Sequence, residues 1–131
     1  MAVSGIFECF KYARSIKKID LLNDSIVVCL MLESYEPNFD NDTFYSDIPE
    51  TLLLSETLLL GKYIDNNIFK AAQPIFENIS VGEIVQGIIL YRDADYIEDT
   101  LLIAYFNFVD LVVTQGELVT IVWNEQGIIT L

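Results

Sequence analysis

Histidine is absent, and cations are scarce: 7 Lys and Arg stand against 20 Asp and Glu among 131 residues, a net charge of −13. Without histidine the chain lacks the side chain that most often serves as a general base near neutral pH, so Ser–His and Cys–His nucleophilic arrangements are excluded. Neither a Gly-x-Ser-x-Gly elbow nor a Gly-rich phosphate loop is present. Carboxylate pairs can be drawn in any acidic chain, yet nothing here sets an acid held neutral beside one held ionised. The pattern points away from an enzyme.

Cysteine is almost as rare. Cys9 falls in a helical pattern and Cys29 in an apolar strand pattern, neither with a partner at metal-ligand spacing, so two buried thiols in a reducing compartment are expected. There is no run of about 18 apolar residues to form a membrane-spanning helix. At the start, cations follow the apolar residues instead of preceding them, and no small-residue cleavage site appears; a signal peptide is not expected, and first use in a cytoplasm is.

The few cations are also unevenly placed. Lys11, Arg14, Lys17 and Lys18 with one acid, Glu8, give residues 1–18 a charge of +3, while the remaining residues carry three cations against 19 acids, or −16. Most of the surface therefore repels nucleic acid and anionic membranes. The basic start is either a solvated helix face or a contact for an acidic partner.

Apolar residues are what the chain has in surplus. They make up 53% of it, above the roughly 45–50% of ordinary soluble domains, and the excess is expected to meet partner subunits. The length fits one domain, residues 1–131.

Ile6, Cys9, Phe10, Ala13 and Ile16 recur at helical spacing, which predicts one amphipathic helix within residues 1–18, with Ser4 as N-cap and Lys17 and Lys18 at its negative end. Ser25-Ile26-Val27-Val28-Cys29-Leu30-Met31-Leu32 is apolar on both parities and reads as a strand covered on both faces, the helix being a candidate cover. Residues 33–50 form an acidic loop with Tyr35, Phe39, Phe44 and Tyr45, which either pin it to the body or meet a partner. A helical turn is expected near residues 40–45.

Two Glu-Thr-Leu-Leu-Leu copies follow, at residues 50–54 and 56–60. The second copy is expected to open a strand series over residues 57–131, and the first has no assigned structure. Asp65-Asn66-Asn67 is a hairpin turn signal, Pro74 confines its neighbours to a sheet edge or strand end, and Gly87 marks a bulge or a close approach. The last third alternates short apolar strands with acidic or Gly-containing punctuation, which carries the C-terminus into the sheet. Between two of these strands, Asp93-Ala94-Asp95-Tyr96-Ile97-Glu98-Asp99 fails the EF-hand pattern at Ile97, Glu98 and Ala104. A solvated hairpin tip is expected there, with no metal and no cofactor. Trp123, flanked by Ile121 and Val122, reads as core ahead of a sugar-stacking platform.

The Leu102-Ile103-Ala104-Tyr105 strand and the closing Ile121-Val122-Trp123-Asn124-Glu125-Gln126-Gly127-Ile128 segment, with Tyr35-Glu36-Pro37-Asn38-Phe39-Asp40 in the first half, resemble small virion structural proteins of tailed bacteriophages. That resemblance covers most of the chain and rests on strand and turn motifs. It departs at the Leu triplets, where similar proteins are rich in Gly and Thr, and at Asp110-Leu111-Val112-Val113, where they have a polar spacer. Both departures add apolar surface.

The fold expected is mainly β: an antiparallel β-sandwich or jelly-roll-like domain of about seven strands with one N-terminal amphipathic helix. The resemblance implies a structural protein of the virion, assembled in the host cytoplasm. A capsid decoration or cement protein on the major capsid protein leads; a neck, tail or fibre-attachment protein and a DNA-mimicking acidic binding module are the alternatives. A homo-oligomer is expected, with no nucleic acid or membrane as partner. As partner contacts the sequence singles out Tyr35, Phe39, Phe44 and Tyr45, with Leu52, Leu53 and Leu54 from the first Leu triplet.

Overall fold

Strand pairing in this chain is antiparallel throughout the described residues. A computed structural model describes residues 3–131. Its elements are β1 (Gly5–Ile6), α1 (Glu8–Ser15), β2 (Ile26–Leu32), β3 (Leu53–Leu58), β4 (Tyr63–Asp65), β5 (Ile68–Lys70), β6 (Ile75–Phe76), β7 (Ile84–Arg92), β8 (Leu101–Val113), β9 (Val119–Thr120) and β10 (Ile129–Thr130). They form a five-stranded sheet in the order β1-β8-β7-β2-β3, a three-stranded sheet β10-β5-β4 and a two-stranded sheet β6-β9. The protein is mainly β with one short helix, and none of these sheets closes into a barrel.

Because successive side chains leave a strand on opposite faces, the aliphatic run in β2 serves two cores at once. Ile26, Val28 and Leu30, with Ile88 and Leu90 of β7, pack against Phe69, Phe76, Ile121 and Ile129 from the small-sheet side. Val27, Cys29 and Met31, with Ile89 and Tyr91, meet Phe7, Tyr35 and Ile48 on the other. The second face is thus covered by the 33–50 loop. The helix packs on β8 instead.

Several boundaries differ from the sequence reading. Residues expected in the first helical turn are drawn into the sheet, where Gly5 pairs with Tyr105 and Ile6 with Ala104. The helix then starts at Glu8, with Phe7 at the N-cap and no side-chain cap. Ser4 is not the cap: its Oγ accepts from the Asn107 N–H at 2.8 Å. Sheet pairing satisfies backbone groups that a helix terminus would leave open, so it wins. Met1 and Ala2, within the expected helical span, lie outside the described residues. The helical turn expected near residues 40–45 is a short 3-10 turn at Tyr45–Asp47.

The Leu duplication is also read differently by the fold. A second 3-10 turn takes Glu50–Leu52, and β3 runs from Leu53 to Leu58, straddling both copies. The strand series therefore begins before residue 57. The Asp65-Asn66-Asn67 signal does make its hairpin: Asn66 and Asn67 hold φ of 51° and 63°, as a tight β-hairpin turn requires, and join β4 to β5.

The longest strand, β8, carries the largest irregularity. Val85 pairs with Val112 and Gly87 with Asn107, so two steps along β7 (85 to 87) face five along β8 (107 to 112). Residues 108–111 stand opposite Gln86 alone, with Phe108 half-buried on the core and Val109, Asp110 and Leu111 exposed. The extra residues expose apolar side chains, and Val109 is 97% exposed.

Candidate functional site

The β7 irregularity also organises the polar interior. Gln86 is the residue on β7 that pairs with neither neighbour, and its side chain is buried. Its Nε2 donates to the Tyr35 carbonyl at 2.6 Å and to Tyr105 Oη at 2.9 Å, while its Oε1 accepts from the Ser34 N–H at 3.1 Å. Tyr105 Oη donates in turn to Asn107 Oδ1 at 2.8 Å. A buried amide with all its partners supplied costs little and holds the loop's entry in one place.

The predicted contact residues sit on this loop and beside it. Tyr35 is 2% exposed and stands edge-on to Tyr105 with ring centroids 5.2 Å apart, and Tyr45 on Tyr91 and Phe39 on Phe7 are each at 5.0 Å. Phe44 bridges to Leu101. Phe39, Phe44 and Tyr45 are half-buried, and Tyr35 has no surface to offer a partner. Leu52, Leu53 and Leu54 are half-buried as well, Leu52 and Leu53 against the loop-side core and Leu54 against the other. Of the seven residues singled out as partner contacts, Tyr35 is pinned inside the body and the other six are packed on it with part of each side chain still exposed.

The Tyr35 hydroxyl itself has no hydrogen-bond partner. Burial first, then the charge of Asp42, pushes its ionisation well above the ordinary phenol range. A buried donor left unmade costs about 1–3 kcal/mol. Replacing Tyr35 with Phe removes that cost and keeps the ring, so an increase in stability of about 1 kcal/mol is expected from the urea midpoint. A loss of that size would contradict an orphaned hydroxyl.

The nucleophilic side chains are set against reactivity. Burial pushes the Cys9 thiol up to about 11 and the Cys29 thiol up to about 12, so both are protonated near neutral pH, and a thiol is a poor nucleophile. Tyr91 is raised by burial and by its hydrogen bond to the Glu56 carboxylate. Among the described residues, no three His, Cys, Asp or Glu side chains are grouped so as to hold a metal ion.

A cleft of about 640 Å³ opens between β8 and the C-terminal segment, lined by Phe106, Phe108, Val109, Trp123, Asn124 and Gln126 among others. Its lining holds no Asp, Glu, Lys or Arg. Trp123 is half-buried, donates from Nε1 to the Ala72 carbonyl at 3.0 Å and stands edge-on to Phe106. It is tied to the body on two sides. The cleft can hold apolar or neutral polar groups, but its lining offers no side-chain group for acid–base work.

Comparison with protein-family models, with curated proteins and with solved structures finds no match to this chain.

The remaining surface feature is apolar exposure, and two groups of it fall close together along the chain. Leu58, Leu60, Tyr63 and Ile64 are exposed along the passage from β3 into β4, with Leu60 at 63%. Val109, Leu111, Val113 and Leu118 are exposed around the far end of β8. Scattered exposed leucines need no explanation, whereas grouped ones mark docking surfaces. The sequence pointed to the first Leu triplet, but the exposed leucines belong to the second copy. Leu58 closes β3 and Leu60 lies beyond it, while Leu59 between them is 1% exposed and faces the core. No helix among the described residues is long and apolar enough to cross a membrane.

Proposed function

We propose that this chain is a structural component of a tailed-phage virion, acting as a decoration or cement protein that docks on the major capsid protein at the outer shell. The observation that supports this reading is the grouped apolar exposure at β3–β4 and at the end of β8, on a chain otherwise strongly acidic. Apolar patches suit docking on a repeated lattice, where many copies and homo-oligomeric contacts give avidity without tight single contacts. The acidity keeps the protein off packaged DNA. The resemblance of its strand and turn motifs to small virion structural proteins of tailed bacteriophages supports the choice of that class.

Quantitative mass spectrometry of purified particles tests it. A copy number on the scale of the major capsid protein is expected. A handful of copies per particle would move the protein to the neck, tail or fibre attachment. Absence from particles, with one stoichiometric host partner in a pull-down, would favour the DNA-mimicking binding module instead.

A further inference from the structure

The cleft between β8 and the C-terminal segment has walls that are held in place. Along the C-terminal wall the Ile121 N–H donates to the Pro74 carbonyl at 3.0 Å, the Ile128 N–H to the Phe69 carbonyl at 2.9 Å and the Leu131 N–H to the Asn67 carbonyl at 2.7 Å. Trp123, within that wall, is fixed by its own bond to the Ala72 carbonyl. β8 supplies the other wall, with Ser4 bonded to it at Asn107. The volume of about 640 Å³ falls within the range of small-molecule sites, which are largely formed before the ligand arrives.

No charged side chain lines this cleft, on a chain with 7 cations and 20 acids. Its polar side chains are hydroxyls and amides, and they are not equally spent. Asn107 is used up inside the protein: its Oδ1 accepts from Tyr105 Oη and its Nδ2 donates to the Phe108 carbonyl. Asn124 Oδ1 accepts from the Gln126 N–H at 2.9 Å, which orients the amide and leaves its Nδ2 as a donor without a partner among the described residues. Ser4 Oγ accepts from the Asn107 N–H and keeps its own proton to give. The Gln126 amide and the Thr130 hydroxyl, both on exposed residues of the lining, make no hydrogen bond to the described residues.

These groups select a ligand by its chemistry. A phosphate or carboxylate finds no cation in the cleft and an ammonium finds no carboxylate, so a charged ligand gives up hydration without return. An alkyl chain fills the apolar part but strips water from the amides and hydroxyls around it. A sugar ring carries both kinds of surface, C–H groups for aromatic and aliphatic walls and hydroxyls for uncharged donors and acceptors. We infer that the cleft is a binding site for a neutral oligosaccharide, with Trp123 and Phe106 supplying the apolar contact and Asn124, Gln126, Thr130 and Ser4 the hydrogen bonds. Trp123 is half-buried, so the ring belongs to the body and to the cleft at once. The nearest charges, Glu125 and Lys70, line a smaller neighbouring cleft that shares Trp123, and Lys70 is paired there with Asp65 at 3.7 Å. Sugar binding by the purified chain stands apart from the virion reading, and absence from particles would leave it intact.

Trp123 is the single tryptophan of the chain, so its fluorescence reports this cleft directly. The experiment titrates the purified protein with cellotriose, maltotriose and the acetylated glucosamine trimer, all neutral, and with trigalacturonate and the deacetylated glucosamine trimer as anionic and cationic counterparts. A saturable change in Trp123 emission is expected with at least one neutral trimer, at an affinity that high salt leaves within about twofold. The charged trimers should bind about tenfold more weakly or worse. Gln126→Ala/Thr130→Ala should weaken the neutral sugar by about tenfold, for the hydrogen bonds removed, and thermal unfolding checks that the variant keeps its fold. Silence with all three neutral trimers would overturn the inference. So would equal binding of trigalacturonate, neutral-sugar binding that the double variant leaves unchanged, or emission that shifts with protein concentration alone, which would put a second copy of the chain in the cleft.

Discussion

Replacing Gly87 with alanine is expected to destabilise the protein by about 3 kcal/mol or more, at the upper end of overpacking costs, and valine by more again. A Cβ at this position would lie 2.3 Å from the Phe106 carbonyl oxygen and 2.6 Å from Tyr105 Oη. The first neighbour is backbone in the central hairpin and cannot swing aside. The second is the hydroxyl through which Gln86 is tied to Asn107, so the added methyl also pushes on the amide network that holds Ser34 and Tyr35. Urea unfolding measures the loss. Removing the hydroxyl as well, in Gly87→Ala/Tyr105→Phe, should not restore stability, because the carbonyl contact remains. A Gly87→Ala protein within about 1 kcal/mol of its parent would show that the strand relaxes around the site.

Where a single local rule governs, the fold was legible. Asn66-Asn67 between apolar residues names a turn that only residues tolerant of positive φ can make, and the hairpin is there. Residues 26–32 are apolar on both parities because both faces of the sheet are covered there, one by the small sheets and one by the 33–50 loop. Gly87 is a glycine because the Phe106 carbonyl and the Tyr105 side chain converge on it. Where two rules compete, the sequence left the outcome open. The Ile6 to Ile16 periodicity describes one helix, but an available edge on β8 takes Gly5 and Ile6 first. The aromatic loop fits either a pinned or an open state by composition, and what decides is Gln86, some fifty residues distant along the chain. Nothing near Tyr35 names that partner.

The candidate surfaces were partly visible for the same reason. Asp110-Leu111-Val112-Val113 stands out as an apolar excess, yet its exposure depends on the register between β7 and β8, where three surplus residues must leave the sheet. Register is a property of two strands and is set by what each buries. The half-burial of Leu52 to Leu54 and the exposure of Leu58 and Leu60 turn on where β3 starts, which the repeated Glu-Thr-Leu-Leu-Leu cannot indicate, since both copies carry the same pattern.

Above about pH 9 the protein is expected to lose stability steeply and to unfold before pH 12. Burial is the leading cause in every case: it raises Cys9 to about 11, Cys29 to about 12 and Tyr105 to about 12, and it moves Tyr35, Tyr45 and Tyr91 upward as well. The ordinary values are 9.0 for the thiols and 10.0 for the phenols. As pH rises past these, the unfolded chain releases its protons while the folded one still holds them, so the unfolded state binds fewer and the slope of stability against pH is negative. The contribution is complete below about 9 and is lost progressively toward 12. Cys29, 2% exposed in β2, accounts for on the order of 4 kcal/mol of this. Cys29→Ala should therefore start about 1 kcal/mol less stable near neutral pH, for the atom removed from the core, and then fall less steeply between pH 9 and 12. Urea midpoints across that range, for the two proteins side by side, provide the comparison. Parallel curves would mean that the Cys29 thiolate finds solvent within the folded state, and a midpoint unchanged up to pH 11 would mean the same for the buried phenols.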